Sequence, residues 1–160
     1  MKVEFVNPFI SAAFAVFESV IGQRPERGQL SMRKTTFTTQ QVTIVAGVSG
    51  QISGTALYGM SLVTAQKIAS ALMQSELTVL DEMAWSALSE LGNMITGNAI
   101  TLLANNGYDV NISPPSVIRG RNIEISTKTP AIVVPMMTQQ GLVEINVALE
   151  ENDMAQAKAA

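Results

Sequence analysis

The chain has 160 residues, of which 47% are hydrophobic and 14% charged, a composition that fits one folded domain and argues against disorder. Its net charge of −3 and its scattered cations argue against binding to a nucleic-acid backbone. The sequence has no cysteine and no histidine, which excludes disulfides, thiolate metal sites, cysteine nucleophiles and histidine as a general base. Any catalysis would depend on carboxylates, amides, hydroxyls, Lys or Arg, or on a metal supplied by a partner.

An amphipathic helix is predicted near the N-terminus. Asn7 is a suitable N-cap, Pro8 suits the first helical position, and Gly22 would end the helix. The following apolar residues recur at three- and four-residue spacing: Phe9, Ile10, Ala13, Phe14, Phe17, Val20 and Ile21. This stretch, interrupted by Ser11 and followed by Glu18, is too short for a membrane span and unlike a signal peptide. Because the chain also lacks cysteine, we expect a cytoplasmic protein with no membrane partner.

Three strands are predicted next, over residues 30–38, 41–48 and 52–60. Short runs of β-forming residues separated by turn residues, such as Ser49-Gly50, favour an antiparallel meander. The glycine-rich stretch 47–54 lacks the Gly-Lys-Ser/Thr ending of a P-loop. We therefore interpret it as a hairpin turn and not as a phosphate-binding loop.

Two helices are predicted after these strands. Ser61 is the expected N-cap of a short helix that ends near residue 73. A longer helix is expected to begin with Thr78 as its cap and Asp81 three residues later, close to a capping box. An Asn-Asn-Gly sequence would stop this helix after about residue 104.

The remaining chain returns to strands. They are predicted at residues 109–112, 123–126, 131–137 and 142–149. Pro114-Pro115 would interrupt them, and the last two would form a hairpin across residues 139–141. This order of elements predicts an α+β fold: a single domain with a mostly antiparallel sheet covered by an N-terminal helix and a long central helix. Residues 1–151 would form the domain, and residues 152–160 a frayed C-terminal tail.

The long helix carries the candidate site. At about 100° per residue, these apolar residues gather on one side, which should face the core: Ala84, Leu88, Leu91, Ile95, Ala99 and Leu102. Ser86, Glu90, Asn93 and Gly97 fall in a narrow arc on the opposite side. Since glycine and asparagine disfavour helix, stability alone does not account for this arc. Gly97 would allow close approach of a partner, and Gly92 close approach of the sheet. From the residues alone, internal packing of both glycines beside a solvated Glu90 stays an alternative.

Two nearby signals have structural interpretations. Asp81 and Glu82 diverge by about 100° on a helix and have no cluster of partners, so we expect them to complement the helix N-terminus and not to bind a metal. Trp85 lies nearer the core side than the arc, so we expect it to serve packing.

Residues 90–99, Glu-Leu-Gly-Asn-Met-Ile-Thr-Gly-Asn-Ala, resemble the signature helix of the CheC/CheX/FliY phosphatases, whose centre is a glutamate and an asparagine three residues apart. The opening Asn-Pro-Phe-Ile at 7–10, the Ser-Pro-Pro-Ser-Val-Ile segment at 113–118 and the final hairpin also resemble CheX, in the expected order along nearly the whole chain. CheC-type relatives carry a second Glu-x-x-Asn, whereas the first helix here has Glu18 and Ile21 at those places. FliY would add a C-terminal switch domain, which we do not expect in a chain of 160 residues.

The resemblance implies a phosphatase that hydrolyses the aspartyl-phosphate of a CheY-like response regulator in chemotaxis or other two-component signalling. Asn93 and Glu90 are the implied catalytic residues: the carboxamide would position the attacking water, and the carboxylate would pair with a receiver lysine. Ser86, Gly97 and Met94 would bind the partner. The chain would hold no metal or cofactor of its own, and a divalent metal, Mg²⁺, is expected on the receiver.

CheX-like proteins resemble homodimers joined through their sheets, so a homodimer is also expected. Two other functions stay open. A receiver-binding adaptor of the same fold would dock without hydrolysis, and a structural or dimerisation domain would cover the arc in its oligomer. The presence of both Glu90 and Asn93 favours the enzyme over the adaptor, because docking alone does not require the carboxamide.

Overall fold

The computed structural model describes residues 2–153, so the predicted frayed tail lies mostly outside the described residues. The helices are α1 (Val3–Ile21), α2 (Leu62–Met73) and α3 (Glu82–Asn105). The first five strands are β1 (Glu26–Arg27), β2 (Ser31–Arg33), β3 (Thr36–Thr38), β4 (Val42–Gly50) and β5 (Ile52–Met60). The last five strands are β6 (Val110–Ile112), β7 (Ser116–Arg119), β8 (Glu124–Ser126), β9 (Ala131–Thr138) and β10 (Gly141–Glu151).

The four long strands form the centre of one antiparallel sheet. Its order is β1-β9-β10-β5-β4-β6, with β2 also paired to β9 and β7 also paired to β4. Strands β3 and β8 form a separate two-stranded ribbon. Alternate residues of the long strands, such as Ile44 and Ile145, lie in one buried cluster with Phe9 of α1 and Leu88 of α3. The predicted α+β fold, with an antiparallel sheet beside the N-terminal and central helices, is confirmed.

Helix α1 begins earlier than predicted. It starts at Val3, so Asn7 is not its cap and Pro8 lies inside the helix. Phe5 and Val6 are almost fully buried, and we attribute the earlier start to their burial, which offsets the backbone hydrogen bond that Pro8 cannot make. Gly22 ends the helix with a φ of 84°, as predicted.

The apolar N-terminal segment is also longer than predicted. By length and composition, the 19-residue α1 could cross a membrane, with a mean hydropathy of 1.4. Its large apolar side chains Phe5, Phe9 and Phe17 are buried in the protein core. This packing is that of a core helix, which passes the same test of length and composition.

The caps of the other two helices differ in how well the sequence predicts them. The Ser61 side chain accepts a hydrogen bond from the Thr64 N–H at 3.1 Å and caps α2, as predicted. The prediction that Thr78 begins α3 is wrong, because Asp81 is the cap and accepts from the Ala84 N–H at 2.9 Å. The loop before Thr78 is attached to α2, where the backbone N–H and C=O of Leu77 bond to the side chains of Ser70 and Gln66.

Pairing between distant segments accounts for the errors in the strands. The predicted strand 30–38 is two strands, of which β2 pairs with β9 and β3 with β8, so the meander prediction is wrong. Strands β4 and β5 do form a hairpin, and stretch 47–54 lies in it, although β4 continues through the expected turn to Gly50. Strands β1 and β7 were not predicted; they are short and pair with β9 and β4. The final hairpin across residues 139–141 is confirmed.

Candidate functional site

Helix α3 has one buried side. The buried apolar residues are Ala84, Leu88, Leu91, Ile95, Ala99 and Leu103. The predicted core side is therefore confirmed except at its last position, since Leu102 is 37% exposed and Leu103 is buried in its place. Leu103 lies four residues after Ala99, and an i, i+4 step stays on the same side of a helix as well as an i, i+3 step does.

The opposite side of α3 is open. Ser86 and Glu90 are exposed, whereas Asn93 and Gly97 are half-buried, and all four lie on the arc that the sequence predicts. Within residues 2–153, neither the Glu90 carboxylate nor the Asn93 carboxamide has a hydrogen-bond or ion-pair partner. Both polar groups are therefore available to a molecule outside the chain.

The two glycines of α3 face in different directions, as expected. A Cβ on Gly92 would lie 2.5 Å from the Ile44 Cγ2 of β4, so this glycine allows the helix to approach the sheet closely. A Cβ on Gly97 would meet no atom within 4 Å. Gly97 thus leaves open space on the outer side of the helix.

A buried hydroxyl pair fastens α3 to the sheet beneath this open side. The Thr96 hydroxyl donates to the Gly92 carbonyl at 2.8 Å and lies 2.6 Å from the Tyr58 hydroxyl of β5. Since the Thr96 proton is used in the first bond, Tyr58 is the donor in the second. Burial raises the pKa of Tyr58 well above its usual range, so the hydroxyl keeps its proton at neutral pH.

The open side of α3 borders a groove of about 460 Å³, called here the α3 groove. Its helix residues are Ser86, Ser89, Glu90 and Asn93, and its other wall is residues 112–115. Ser113 attaches this wall to β4, because its N–H donates to the Gly47 carbonyl at 3.0 Å and its Oγ accepts from the Gly47 N–H at 3.1 Å. A Cβ on Gly47 would lie 2.6 Å from that Oγ, so a glycine is required for this attachment.

A second hollow, of about 370 Å³, continues the groove toward the start of α3. We call it the Arg119 hollow; its lining residues are Glu82, Trp85, Ser86, Val117 and Arg119. The Arg119 guanidinium lies over the Trp85 ring, with its central carbon 4.4 Å from the ring centroid. Trp85 is half-buried and packs against the core, as predicted, but its packing also positions Arg119.

The structure brings only some of the predicted site residues together. Ser86, Glu90 and Asn93 line the α3 groove, whereas Gly97 lies on the same arc beyond the groove-lining residues. Met94 is half-buried against the core and is not among the groove-lining residues. Ser89 and Arg119 line these hollows but were not predicted as site residues. For the facing wall, the only signal in the sequence was the resemblance of residues 113–118 to CheX.

The described residues contain no cluster of side chains that would form a metal site. Residues 2–153 contain no group of three or more acidic side chains that could hold a metal ion. Asp81 caps α3, and Glu82 is the single acidic residue among those that line the Arg119 hollow.

Comparisons with known proteins agree on one family. The sequence model of the family described as chemotaxis phosphatase CheX matches residues 42–137, which include α3 and the facing wall. The CheY-P phosphatase CheX of Thermotoga maritima is 34% identical over 137 residues, which are 85% of this chain and 88% of that protein.

Solved structures give the same result. A CheX–CheY–BeF3–Mg²⁺ complex from Borrelia burgdorferi is similar with a TM-score of 0.80 and 29% identity, covering 94% of this chain and 100% of the other. A chemotaxis protein CheX from Desulfovibrio desulfuricans has a TM-score of 0.82 and 27% identity, covering 92% and 99%.

Proposed function

The chain belongs to the CheX family of chemotaxis phosphatases, and we propose that it hydrolyses the aspartyl-phosphate of a CheY-type response regulator with Asn93 positioning the attacking water. The observation that carries the proposal is the pair Glu90 and Asn93. Their side chains lie without partners in the described chain, on the open side of α3, and line one groove. A helix that only covered a sheet would not require this pair.

The reaction requires little chemistry from the phosphatase itself. A water oxygen attacks phosphorus, and the bond between phosphorus and the receiver aspartate oxygen breaks. The aspartate carboxylate is the leaving group, and inorganic phosphate is the other product. Catalysis is then mainly the placing of the water in line with the leaving oxygen. The Asn93 carboxamide suits this role, since it offers a donor and an acceptor and does not titrate.

Glu90 lies one helical turn before Asn93. We assign it to binding of the receiver and not to positioning of the water. An exposed carboxylate beside a phosphoryl group would repel it, so we assign Glu90 to a lysine of the receiver that neighbours the phosphate. We assign the Mg²⁺ of the reaction to the receiver, where it neutralises phosphoryl charge. A complex of a relative with CheY, BeF3 and Mg²⁺ supports this assignment of partner and metal.

The test follows phosphate loss from a phosphorylated CheY receiver with wild-type protein and with Asn93→Ala. We expect kcat to fall by about 100-fold or more, because a misplaced water loses most of the positioning effect. Binding to the BeF3-loaded receiver should be nearly unchanged. Asn98→Ala is the matched control, since Asn98 is an exposed asparagine of the same helix outside the arc.

Glu90→Ala separates binding from chemistry. It should raise KM for the phosphorylated receiver while kcat changes little. Small, equal effects of both variants on the rate would refute the scheme. Binding of the receiver without any acceleration by the wild-type protein would support the adaptor function instead.

We propose that the functional form is a cytoplasmic homodimer joined at a sheet edge. Strand β2 lies on the edge beside β9, and its apolar Met32 is 66% exposed, at a place where a second copy of the chain would cover it. Met32→Lys should convert a dimer to a monomer in light scattering, with Lys34→Glu as a control on a nearby exposed residue. An unchanged mass for Met32→Lys would exclude this edge.

A further inference from the structure

The Arg119 hollow contains a cation that is held in place but has no acidic partner among the described residues 2–153. Arg119 is exposed at the end of β7, and its guanidinium is stacked over the half-buried Trp85. Stacking restricts the side chain while leaving the edge N–H groups free to donate. Within residues 2–153, Arg119 has no carboxylate within ion-pair distance, although Glu82 lines the same hollow.

Two other arginines of the chain are also stacked on an aromatic ring. Arg33 lies over Phe37, but it is also in an ion pair with Glu144. Arg24 lies over Phe14, far from α3 in sequence, and lines neither of the two hollows beside α3. Among residues 2–153, Arg119 therefore differs from Arg33 in having no ion pair, and from Arg24 in lying next to the candidate site.

The Arg119 hollow and the α3 groove share Ser86 and form one continuous surface along the helix. Trp85 and Glu90 are separated by about 7.5 Å along the helix axis, at 1.5 Å per residue. One end of the surface thus presents the carboxylate of Glu90, and the other end presents the guanidinium of Arg119. A partner that covers both ends must bring a cation to the first and an anion to the second.

We propose that Arg119 is a second docking contact for the response regulator and binds an acidic side chain on the receiver surface that flanks the phosphorylated aspartate. This inference rests on the proposed function, because it takes the occupant of the α3 groove to be that receiver. Two contacts of opposite sign fix one orientation of the partner on α3, and a receiver that lacks the acid binds less well. The acidic Glu82 in the same hollow and the net charge of −3 make a nucleic acid a poor occupant.

The test measures KM and kcat on a phosphorylated CheY receiver for Arg119→Glu and Arg119→Gln. We expect KM to rise at least tenfold in the first variant and less in the second, with kcat at saturating receiver within twofold of wild type. Added salt should raise the KM of the wild-type protein more steeply than that of Arg119→Gln. Arg24→Glu is the matched control, since it removes an arginine stacked on an aromatic ring outside the groove and should leave KM unchanged.

The outcomes separate this inference from the proposed function. An unchanged KM for Arg119→Glu, with an active wild-type protein, overturns the docking role and leaves the phosphatase function intact. A loss in kcat without a rise in KM also overturns it, since a docking contact acts on binding. If the wild-type protein does not hydrolyse the phosphorylated receiver, the proposed function fails, and affinity for the BeF3-loaded receiver then decides the role of Arg119.

Discussion

Gly92 and Gly97 lie in the same helix, yet their surroundings differ completely. A Cβ on Gly92 would collide with Ile44 at 2.5 Å, whereas a Cβ on Gly97 would lie in open space. The buried side of α3 is therefore constrained by the space between helix and sheet. The open side is free of such a constraint. The presence there of Asn93 and Gly97, which disfavour helix, therefore needs another explanation, which we take to be binding of the receiver. Substitutions on the two sides should accordingly separate stability from activity.

The largest loss of stability is expected for Leu88→Ala on the buried side. Leu88 is fully buried, and truncating such a leucine costs about 2–5 kcal/mol in the free energy of unfolding. Ser86→Ala, on the open side, should change it by less than about 0.5 kcal/mol. Urea unfolding followed by circular dichroism would measure both. Similar losses for the two variants would contradict the assignment of the sides.

The contrast between the sides was largely predictable because it depends on the periodicity of α3 alone. The core-side residues from Ala84 to Ala99 follow from the helical repeat of 3.6 residues per turn. Ser86, Glu90 and Asn93 fall on the opposite side by the same repeat. The helix starts were not predictable in the same way. Asp81 displaces Thr78 as the cap, and the preceding loop is attached to α2 by hydrogen bonds that link residues up to 11 positions apart.

The facing wall and the Arg119 hollow also required the structure. Ser113 reaches Gly47 across 66 residues of sequence, and β7 carries Arg119 into place by pairing with β4. Neither pairing leaves a pattern in the local sequence. Trp85 could be assigned to packing from its position on the helix, but the cation above it comes from another strand.

The next largest effect is expected for Gly92→Ala. Overpacking against Ile44 costs about 1–3 kcal/mol, and the better helix propensity of alanine returns about 1 kcal/mol. The net result should be a loss of up to about 2 kcal/mol in the free energy of unfolding. In an Ile44→Ala background the same change should no longer destabilise, which a double-mutant cycle would measure. Additive effects would show that the two residues do not compete for space.

A smaller effect is expected for Tyr58→Phe, which removes the hydroxyl that bonds to Thr96 from the sheet side. The loss should be about 1 kcal/mol at neutral pH, the typical contribution of one hydrogen bond. Because burial raises the pKa of Tyr58 above that of an unfolded tyrosine, its contribution is complete below about pH 10 and is lost as the pH rises further. The difference in stability between wild type and Tyr58→Phe should therefore shrink above about pH 10. A constant difference from pH 7 to 11 would contradict the raised pKa.

The smallest effect on the fold, and the clearest separation of stability from activity, is expected at Gly97. Gly97→Ala should raise the free energy of unfolding by about 0.5–1 kcal/mol, since the added methyl group meets no atom of the chain and alanine favours helix. Gly97→Leu should also fold, but its side chain would project beside Asn93 into the space that we assign to the receiver. We therefore expect a higher KM for Gly97→Leu on a phosphorylated CheY receiver. A stable Gly97→Leu protein with wild-type KM would show that the partner does not approach this part of the helix, and would leave the glycine without the role that its exposed position suggests.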